Sequence, residues 1–290
     1  MNVLCLDGST YYCFFILFIE ISVIRYGARV IMNVKNKPAV YIGTAGWSYG
    51  WENYYADQLP GDKRLEQYCQ LFRTAEVNYS FYQLPHANMC RQWLQETTDS
   101  FLFTLKLSRS ITHINKLNHA EDMLLEFFKR IKSLNSKLGS ILIQLPPAVS
   151  LDAKRLKNFL STVKEIKQEL KMQNVRLAFE FRHRSWLEPS DDRDAILEIL
   201  RQHNAAMVFA HSSRYPYPED EPVTADFVYL RFHGPVRLFA SKYETPFLER
   251  CARKIQKWLK NDLDVMAYFN NDADGHSFEN AKTLIELTGI

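Results

Sequence analysis

From residue 40 onward, one pattern recurs eight times: a short apolar run ends in polar residues and is followed by an amphipathic stretch. The runs start roughly 20 to 40 residues apart, which is the spacing of consecutive β-strand and α-helix units. They occupy residues 40–43, 75–78, 101–107, 141–144, 176–181, 206–209, 227–232 and 265–269. This alternation predicts a parallel sheet whose strands are connected by helices.

The stretches between these runs carry apolar residues three and four positions apart, as amphipathic helices do. The clearest are residues 62–73, 120–138, 152–170, 191–203, 246–260 and 277–287, and Asp152 stands where a helix N-cap is expected. A closed (β/α)8 barrel (a TIM barrel) needs about 250 residues, and the chain has 290. An open doubly wound sheet is the alternative, but the Gly-rich nucleotide-binding and P-loop motifs are absent from the sequence.

Composition narrows the class of protein. Lys and Arg number 36 against 33 Asp and Glu, a net charge of +3 without the basic stripe of a dedicated nucleic-acid-binding protein. The five cysteines form no CxxC pair and no zinc-finger spacing with histidine, which is typical of reduced thiols in the cytoplasm. We therefore expect a cytoplasmic protein without a metal or other cofactor.

Residues 1–31 form an apolar leader of a different character. Glu20 interrupts the apolar run, which is then shorter than the about 18 residues of a membrane span. No Lys or Arg precedes the run, which argues against a secretory signal. We interpret the leader as an over-extended start or a dispensable segment, with a loosely docked helix and a membrane anchor as alternatives. Residues 32–290 are predicted as the barrel domain, and stable membrane insertion is not expected.

Four of the predicted strands end in ionisable side chains that alternate with apolar ones. Residues two apart along a strand point the same way, which groups Glu76 with Asn78, Lys106 with Ser108, Glu180 with Arg182, and Arg231 with His233. The apolar neighbours should face the helices, so the polar set should face the barrel mouth, where the active sites of such barrels lie. Buried charges are costly unless they are paired, solvated or bound to a ligand, and four converging strands therefore predict a ligand site.

The cations in this set outnumber the carboxylates, with Lys106, Arg182 and Arg231 against Glu76 and Glu180. Guanidinium groups bind oxyanions with two hydrogen bonds, so the excess predicts an anionic ligand such as a carboxylate, a phosphate or a phosphosugar. His233 is assigned as a general acid or base, with Glu180 or Glu76 as its carboxylate counterpart.

Seven motifs in order carry a resemblance to a known family: GTAGWSYGW (43–51), EVNYSFYQLP (76–85), SRSITH (108–113), QLPP (144–147), EFRHRSW (180–186), RFHG (231–234) and YFNNDADG (268–275). With them the chain resembles the YecE-like family, also called the domain of unknown function 72 family, over roughly residues 41–288. The resemblance implies a TIM barrel and leaves the reaction open.

The resemblance also implies further pocket residues, namely Thr44, Trp47, Tyr49, Tyr82, His113, His183, Trp186, Asn270 and Asn271. The aromatic ones suit stacking walls for a sugar or a base, with packing as the alternative for each. For His113 and His183, the alternative to ligand binding is a surface or helix-capping role. For Asn270 and Asn271, the alternative is a turn in which their side chains bond to the local backbone. His211 stands where the resemblance implies an acidic residue in many relatives, so this chain is altered there.

Three functions fit these residues. The first is an enzyme, hydrolytic or isomerising, that acts on an anionic small molecule or a sugar phosphate. The second is a metal-dependent nucleic-acid phosphodiesterase similar to endonuclease IV, which is not favoured because cations beside the carboxylates repel a metal centre. The third is a protein that binds an anion without turnover, using the same preorganised residues.

Overall fold

A computed structural model describes residues 21–26, 29–34, 37–48 and 63–289 of the chain. It divides into two compact units, Met1–Pro38 and Ala39–Ile290. In the first unit, strands β1 (Ile21–Tyr26) and β2 (Arg29–Val34) pair antiparallel, with Ile21 opposite Val34. The described part of the predicted leader is therefore a β-hairpin rather than the alternative helix. Strand β2 crosses the predicted boundary between residues 31 and 32, and residues 1–20 lie outside the described residues.

The second unit is the predicted TIM barrel. Its eight strands are β3 (Val40–Thr44), β4 (Thr74–Val77), β5 (Leu102–Lys106), β6 (Leu138–Gln144), β7 (Arg176–Glu180), β8 (Ala205–His211), β9 (Phe227–Phe232) and β10 (Asp264–Phe269). Hydrogen-bonded ladders join them in the order β4 to β10 and then β3, and every ladder is parallel. All eight predicted strands are confirmed, with small shifts at their ends.

The helices are α1 (Arg64–Leu71), α2 (Tyr79–Tyr82), α3 (Ala87–Glu96), α4 (Glu121–Ile131), α5 (Ala153–Glu169), α6 (Asp191–Gln202), α7 (Thr245–Lys260) and α8 (His276–Thr288). Six of them were predicted, and α2 and α3 were not. Asp152 caps α5 as expected, because its carboxylate accepts a hydrogen bond from the backbone N–H of Arg155. Within the described ranges, no helix is long and apolar enough to cross a bilayer.

The barrel closes between β3 and β4 through a tyrosine hydroxyl. Tyr68 of α1 accepts a hydrogen bond from the backbone N–H of Thr44 at 2.9 Å and donates one to the carbonyl oxygen of Thr74 at 3.0 Å. The two strands come so close that a Cβ atom at Gly43 would lie 2.2 Å from that carbonyl oxygen. Glycine is therefore required at this position by the approach of the neighbouring strand.

Side chains alternate between two apolar cores, one inside the barrel and one beneath the helices. The inner core includes Leu142 and Met266, whereas Phe103, Phe179 and Leu230 pack against the surrounding helices. This confirms the prediction that the apolar neighbours of the charged residues face outward. The charged residues that alternate with them therefore point into the barrel.

Candidate functional site

The centre of the barrel mouth is the guanidinium of Arg231, which has no solvent exposure. Its Nε donates to Glu76 Oε2 at 2.9 Å and its Nη2 donates to Glu76 Oε1 at 2.5 Å. Its Nη1 donates to Glu180 Oε2 on the opposite side. One arginine therefore bridges two buried carboxylates from β4 and β7, which confirms that these strand ends converge. Burial opposes the charge, but the two carboxylates raise the pKa of Arg231 and keep it protonated.

Glu76 is fully buried and is satisfied from two sides. Besides Arg231, it accepts a hydrogen bond of 2.7 Å from the hydroxyl of Tyr229, which stands two residues before Arg231 on β9. Burial and the Glu76 charge raise the pKa of this phenol. Glu76 is thus anchored in the barrel rather than presented to a ligand.

Glu180 connects Arg231 to a second arginine at the rim. Arg182 donates from Nε to Glu180 Oε1 at 2.6 Å, and its guanidinium carbon lies 4.1 Å from the centre of the Tyr215 ring. Burial alone would raise the pKa of Glu180, but Arg182 and Arg231 outweigh it and hold that pKa well below its usual range. Glu180 is therefore an ionised group that positions arginines.

His233 follows β9 and is also fully buried. Its Nε2 lies 3.6 Å from Glu180 Oε1, and its Nδ1 lies 3.1 Å from the amide nitrogen of Asn270. Burial and the charge of Arg231 lower the pKa of His233 to about 4, although Glu180 partly offsets them. The imidazole is therefore neutral at neutral pH, where it acts as a hydrogen-bonding group or a weak base.

Lys106 brings a further cation to the mouth from β5. Its Nζ lies 4.1 Å from the centre of the Phe81 ring, and the structure gives it no hydrogen bond or ion pair within residues 37–48 and 63–289. Burial, together with Arg231 and Arg182, lowers the pKa of Lys106 to about 7, with Glu180 and Glu76 acting in the opposite direction. We therefore expect Lys106 to change protonation close to neutral pH.

A chain of weaker contacts extends the site to His113. Gln144 stands at the end of β6, and its Oε1 lies 3.5 Å from Arg231 Nη1. The amide nitrogen of Gln144 lies 3.5 Å from His113 Nε2. His113 Nδ1 lies 2.9 Å from the hydroxyl of Thr112, which itself donates to the backbone of Ser108. These bonds favour the tautomer with the proton on Nδ1. Burial and the nearby cations lower the pKa of His113 to about 4.

Comparison with known proteins decides the family. The model of a family described as "Protein of unknown function DUF72" matches residues 41–290. The chain belongs to the DUF72 family. The UPF0759 protein YunF of Bacillus subtilis (strain 168) is 27% identical over 285 residues, covering 87% of this chain and 95% of YunF.

Solved structures agree with this assignment. A DUF72 family protein from Thermotoga maritima MSB8 superposes with a TM-score of 0.73 at 25% identity, covering 87% of this chain and all of that one. A sugar phosphate isomerase/epimerase from Parabacteroides distasonis gives a TM-score of 0.52 at 12% identity, covering 91% and 98% of the two chains. The second similarity concerns the barrel fold alone.

The structure does not bring every residue implied by the DUF72 resemblance to the mouth. Trp186 is 1% exposed, stacks on Phe181 with ring centres 4.3 Å apart, and donates from Nε1 to the carbonyl oxygen of Val149. Trp47 packs edge-on against Trp93 at 5.6 Å, beneath the helices. Both tryptophans are held by packing against the apolar core beneath the helices.

The other aromatic candidates divide differently. Tyr82 is 78% exposed and contacts Phe81, so its face is open to solvent near Lys106. Tyr49 lies outside the described residues. Asn78 is half-buried, and its Oδ1 has no hydrogen-bond partner among the described residues. That oxygen is buried, so the binding role of Asn78 stays a prediction.

Three further candidates have structural partners. His183 accepts a hydrogen bond at Nδ1 from the backbone N–H of Ser185 and so caps the short helical turn Arg184–Trp186. Asn271 donates to Ser241 and to Asn280, which ties β10 to α8, although its Oδ1 has no partner. Thr44 is fully buried and bonded to Tyr68. These three residues support the loops and strands around the mouth.

Sequence reasoning missed three contributors to the site. Gln144 and Tyr229 follow the same two-residue alternation as the predicted set, so the signal was present in their strands. Tyr215, by contrast, lies in the loop after β8, where no periodicity indicated that its ring would lie against Arg182.

His211 belongs to a different cavity. It lies on the outward face of β8, 3.0 Å from the hydroxyl of Tyr243, in a cavity of about 470 Å³ between the barrel wall and α7. Residues 212–226 connect β8 to β9 without an α-helix, which leaves this space. The altered position implied by the resemblance is therefore separate from the charged mouth.

The side chains at the mouth can be compared with those that a metal ion requires. Within residues 37–48 and 63–289, no group of three or more His, Cys, Asp or Glu side chains is placed to hold a metal ion. Glu76 and Glu180 direct their oxygens at Arg231 and Arg182 instead. What this arrangement can do chemically is position cations and present an amine that titrates near neutrality.

Proposed function

We propose that this protein is an enzyme that binds an anionic small molecule, specifically a sugar phosphate or a related anion, at the mouth of its barrel. One observation carries the proposal. The two buried carboxylates are occupied by arginines, whereas Lys106 and the outer nitrogens of Arg182 have no acidic partner among the described residues. The mouth therefore has cationic groups left over.

The energetics of the mouth favour an anionic ligand over a metal ion. Cations that are withdrawn from water without a partner are destabilising, and an incoming phosphate or carboxylate would pair with them. Stacking on Tyr215 and the bond to Glu180 fix the orientation of Arg182, whose side chain is only 9% exposed. A preorganised guanidinium loses little side-chain entropy when it binds an oxyanion with two hydrogen bonds. A metal-dependent reaction finds less support, because the carboxylates it would need are paired with arginines.

The ligand class also agrees with the rest of the mouth. The exposed ring of Tyr82 suits packing against a hydroxylated carbon chain. The similarity of the barrel to a sugar phosphate isomerase/epimerase is consistent with this class at the level of fold, which by itself does not determine function. A cytoplasmic location remains our prediction from the cysteine pattern.

Thermal unfolding with inorganic phosphate and a panel of triose to hexose phosphates tests the binding site. A ligand at about 100 times its Kd stabilises the folded state by about 2.7 kcal/mol, which should raise Tm by roughly 5 °C. Arg182→Met should abolish the rise. The matched control is Arg184→Met. The Arg184 side chain is 79% exposed and forms a surface ion pair with Glu188 at 3.8 Å.

Equal stabilisation of Arg182→Met and the wild-type protein would refute the site, and so would the absence of any shift across the panel. Catalysis is tested by following each stabilising compound by NMR. A conversion that is lost in Arg182→Met supports the enzyme, and binding without conversion supports the non-catalytic alternative.

A further inference from the structure

Lys106 is placed where a reactive group of a barrel enzyme would stand. It is the last residue of β5, two positions after Thr104, whose hydroxyl bonds to Ser140 and Tyr268 inside the barrel. By strand alternation, the Lys106 side chain points to the same interior side. It is half-buried, so its side chain is largely withdrawn from bulk water but keeps some exposure.

The surroundings of the amine disfavour its charged form. Phe81 contacts Nζ from one side, and Arg231 and Arg182 repel its positive charge. Glu180 and Glu76 act in the opposite direction, but their oxygens are paired with those arginines. With a pKa of about 7, roughly half of the Lys106 amines are neutral at pH 7, against about one in 2,500 for an ordinary lysine.

Two other lysines that are withdrawn from water differ from Lys106 in their contacts. Lys137 is 7% exposed, but its Nζ donates hydrogen bonds to the backbone oxygens of Leu94 and Thr97. Lys167 donates to the carbonyl oxygen of Val175 at 2.5 Å. Each of these amines has acceptors for its protons, whereas Lys106 has an aromatic face and cations.

We propose that Lys106 is a nucleophile that forms an imine with an aldehyde or ketone carrying a phosphate or carboxylate group. The anionic part of this substrate class rests on the proposed function, because Arg182 would hold it. The neutral amine is the reactive form of a lysine, and a desolvated lysine beside another cation is the arrangement that supplies it at neutral pH.

The reaction balances without a further reagent. The nitrogen lone pair attacks the carbonyl carbon, the C=O electron pair moves to oxygen, and a proton passes from nitrogen to that oxygen to give a carbinolamine. Loss of the hydroxyl group with the second amine proton releases one water and leaves a C=N bond. A ketone or aldehyde joined in this way loses a proton from its neighbouring carbon more easily, as an isomerising or carbon–carbon bond-cleaving enzyme requires.

Reductive trapping tests the proposal on the full-length chain. The protein is incubated with glyoxylate, a small anionic aldehyde, and sodium cyanoborohydride between pH 6 and pH 9, and labelled peptides are identified by mass spectrometry. We expect one carboxymethyl group per chain on Lys106 at pH 7, with a labelling rate whose midpoint lies near pH 7. Lys106→Met and Lys106→Arg should both lose this label, and the arginine variant keeps the cation in case the methionine variant fails to fold.

Lys157→Arg is the matched control, because Lys157 is exposed on α5 and its replacement should leave the label unchanged. Labelling of Lys106 no faster at pH 7 than that of exposed Lys157 would overturn the inference. The phosphate-induced rise in Tm reports separately on the anion site. If that rise persists while Lys106 stays unlabelled, the nucleophile is wrong and the anion site stands. If Lys106 is labelled with a neutral midpoint but no anion stabilises the protein, the nucleophile stands and the anion site is wrong.

Discussion

Replacing Arg231 with Met removes the cation that bridges two buried carboxylates, and its cost can be worked out from the contacts. Arg231 makes two hydrogen bonds to Glu76 and one to Glu180. Charge-assisted bonds contribute about 1.5–3 kcal/mol each, or roughly 5–9 kcal/mol for the three together. The variant also regains the several kcal/mol that burying a guanidinium costs. Glu180 keeps Arg182, but Glu76 keeps only the Tyr229 hydroxyl. We therefore expect a net loss of about 3–5 kcal/mol in the free energy of unfolding at pH 7.

Urea unfolding followed by tryptophan fluorescence measures this loss, and Arg193→Met provides the comparison. Arg193 is as buried as Arg231, with a side chain 3% exposed, but its partner Asp220 is 51% exposed. Asp220 returns to water when its arginine is removed, so we expect this variant to lose only about 1 kcal/mol, as for a pair near the surface. Similar losses in the two variants would show that the stranded carboxylates do not determine the cost.

A double variant separates the charge from the packing. Glu76→Gln keeps the shape of the side chain but removes its charge, so in the Arg231→Met background it should restore about 2 kcal/mol. In the wild-type background the same change should destabilise the protein, because it leaves Arg231 with one carboxylate. If Glu76→Gln were equally destabilising in both backgrounds, the coupling across the barrel would be absent and our reasoning refuted.

Two further predictions concern barrel closure and pH. Gly43→Ala should lower the free energy of unfolding by at least about 2 kcal/mol, since the added Cβ would lie 2.2 Å from the backbone of Thr74. Urea unfolding measures this loss, and Gly139→Ala is the control because its nearest atoms lie at 3.4 Å. An equal loss in the two variants would contradict the close approach. His233 has a folded pKa of about 4 against about 6.5 unfolded, so the unfolded state binds more protons and stability is lost as pH falls from 6.5 to 4, by roughly 3 kcal/mol. His233→Asn should flatten this pH dependence while His113 keeps its own share, and an unchanged slope would show that His233 is not buried in the neutral form.

The strands could be predicted because the barrel imposes a strict local rule. Each strand of a (β/α)8 barrel must be apolar where it meets the helices, and each must end at the mouth, so the eight runs carry the signal in a few residues. Helix α2 has four residues, too few for a helical period. Helix α3 buries only Cys90 and Trp93, so its apolar face is hard to distinguish from a loop.

The site could be predicted only as far as side-chain direction. Two-residue alternation placed Glu76, Glu180 and Arg231 on the interior, and the structure confirms that position. Which charges pair depends on how the strands are staggered around the barrel, a non-local property that no strand encodes alone. The same limit applies to Trp186. Its motif placed it just after β7, but the sequence could not show that its ring stacks on Phe181 instead of lining the mouth.

Burial in the folded protein changes the protonation state that the sequence alone suggests for His233 and Lys106. An ordinary histidine titrates near pH 6.5 and an ordinary lysine near 10.4, so His233 was the natural acid–base residue and Lys106 the natural permanent cation. Withdrawal from water penalises the charged form of both groups, and Arg231 adds repulsion to each, which lowers their pKa values to about 4 and about 7. Of these two groups, Lys106 is consequently the one that exchanges a proton closer to neutral pH. Arg231 stabilises the carboxylates and, by repelling a positive charge, also favours the reactive neutral form of Lys106. Chemistry at this mouth should therefore depend on Arg231 even for ligands that never contact its guanidinium.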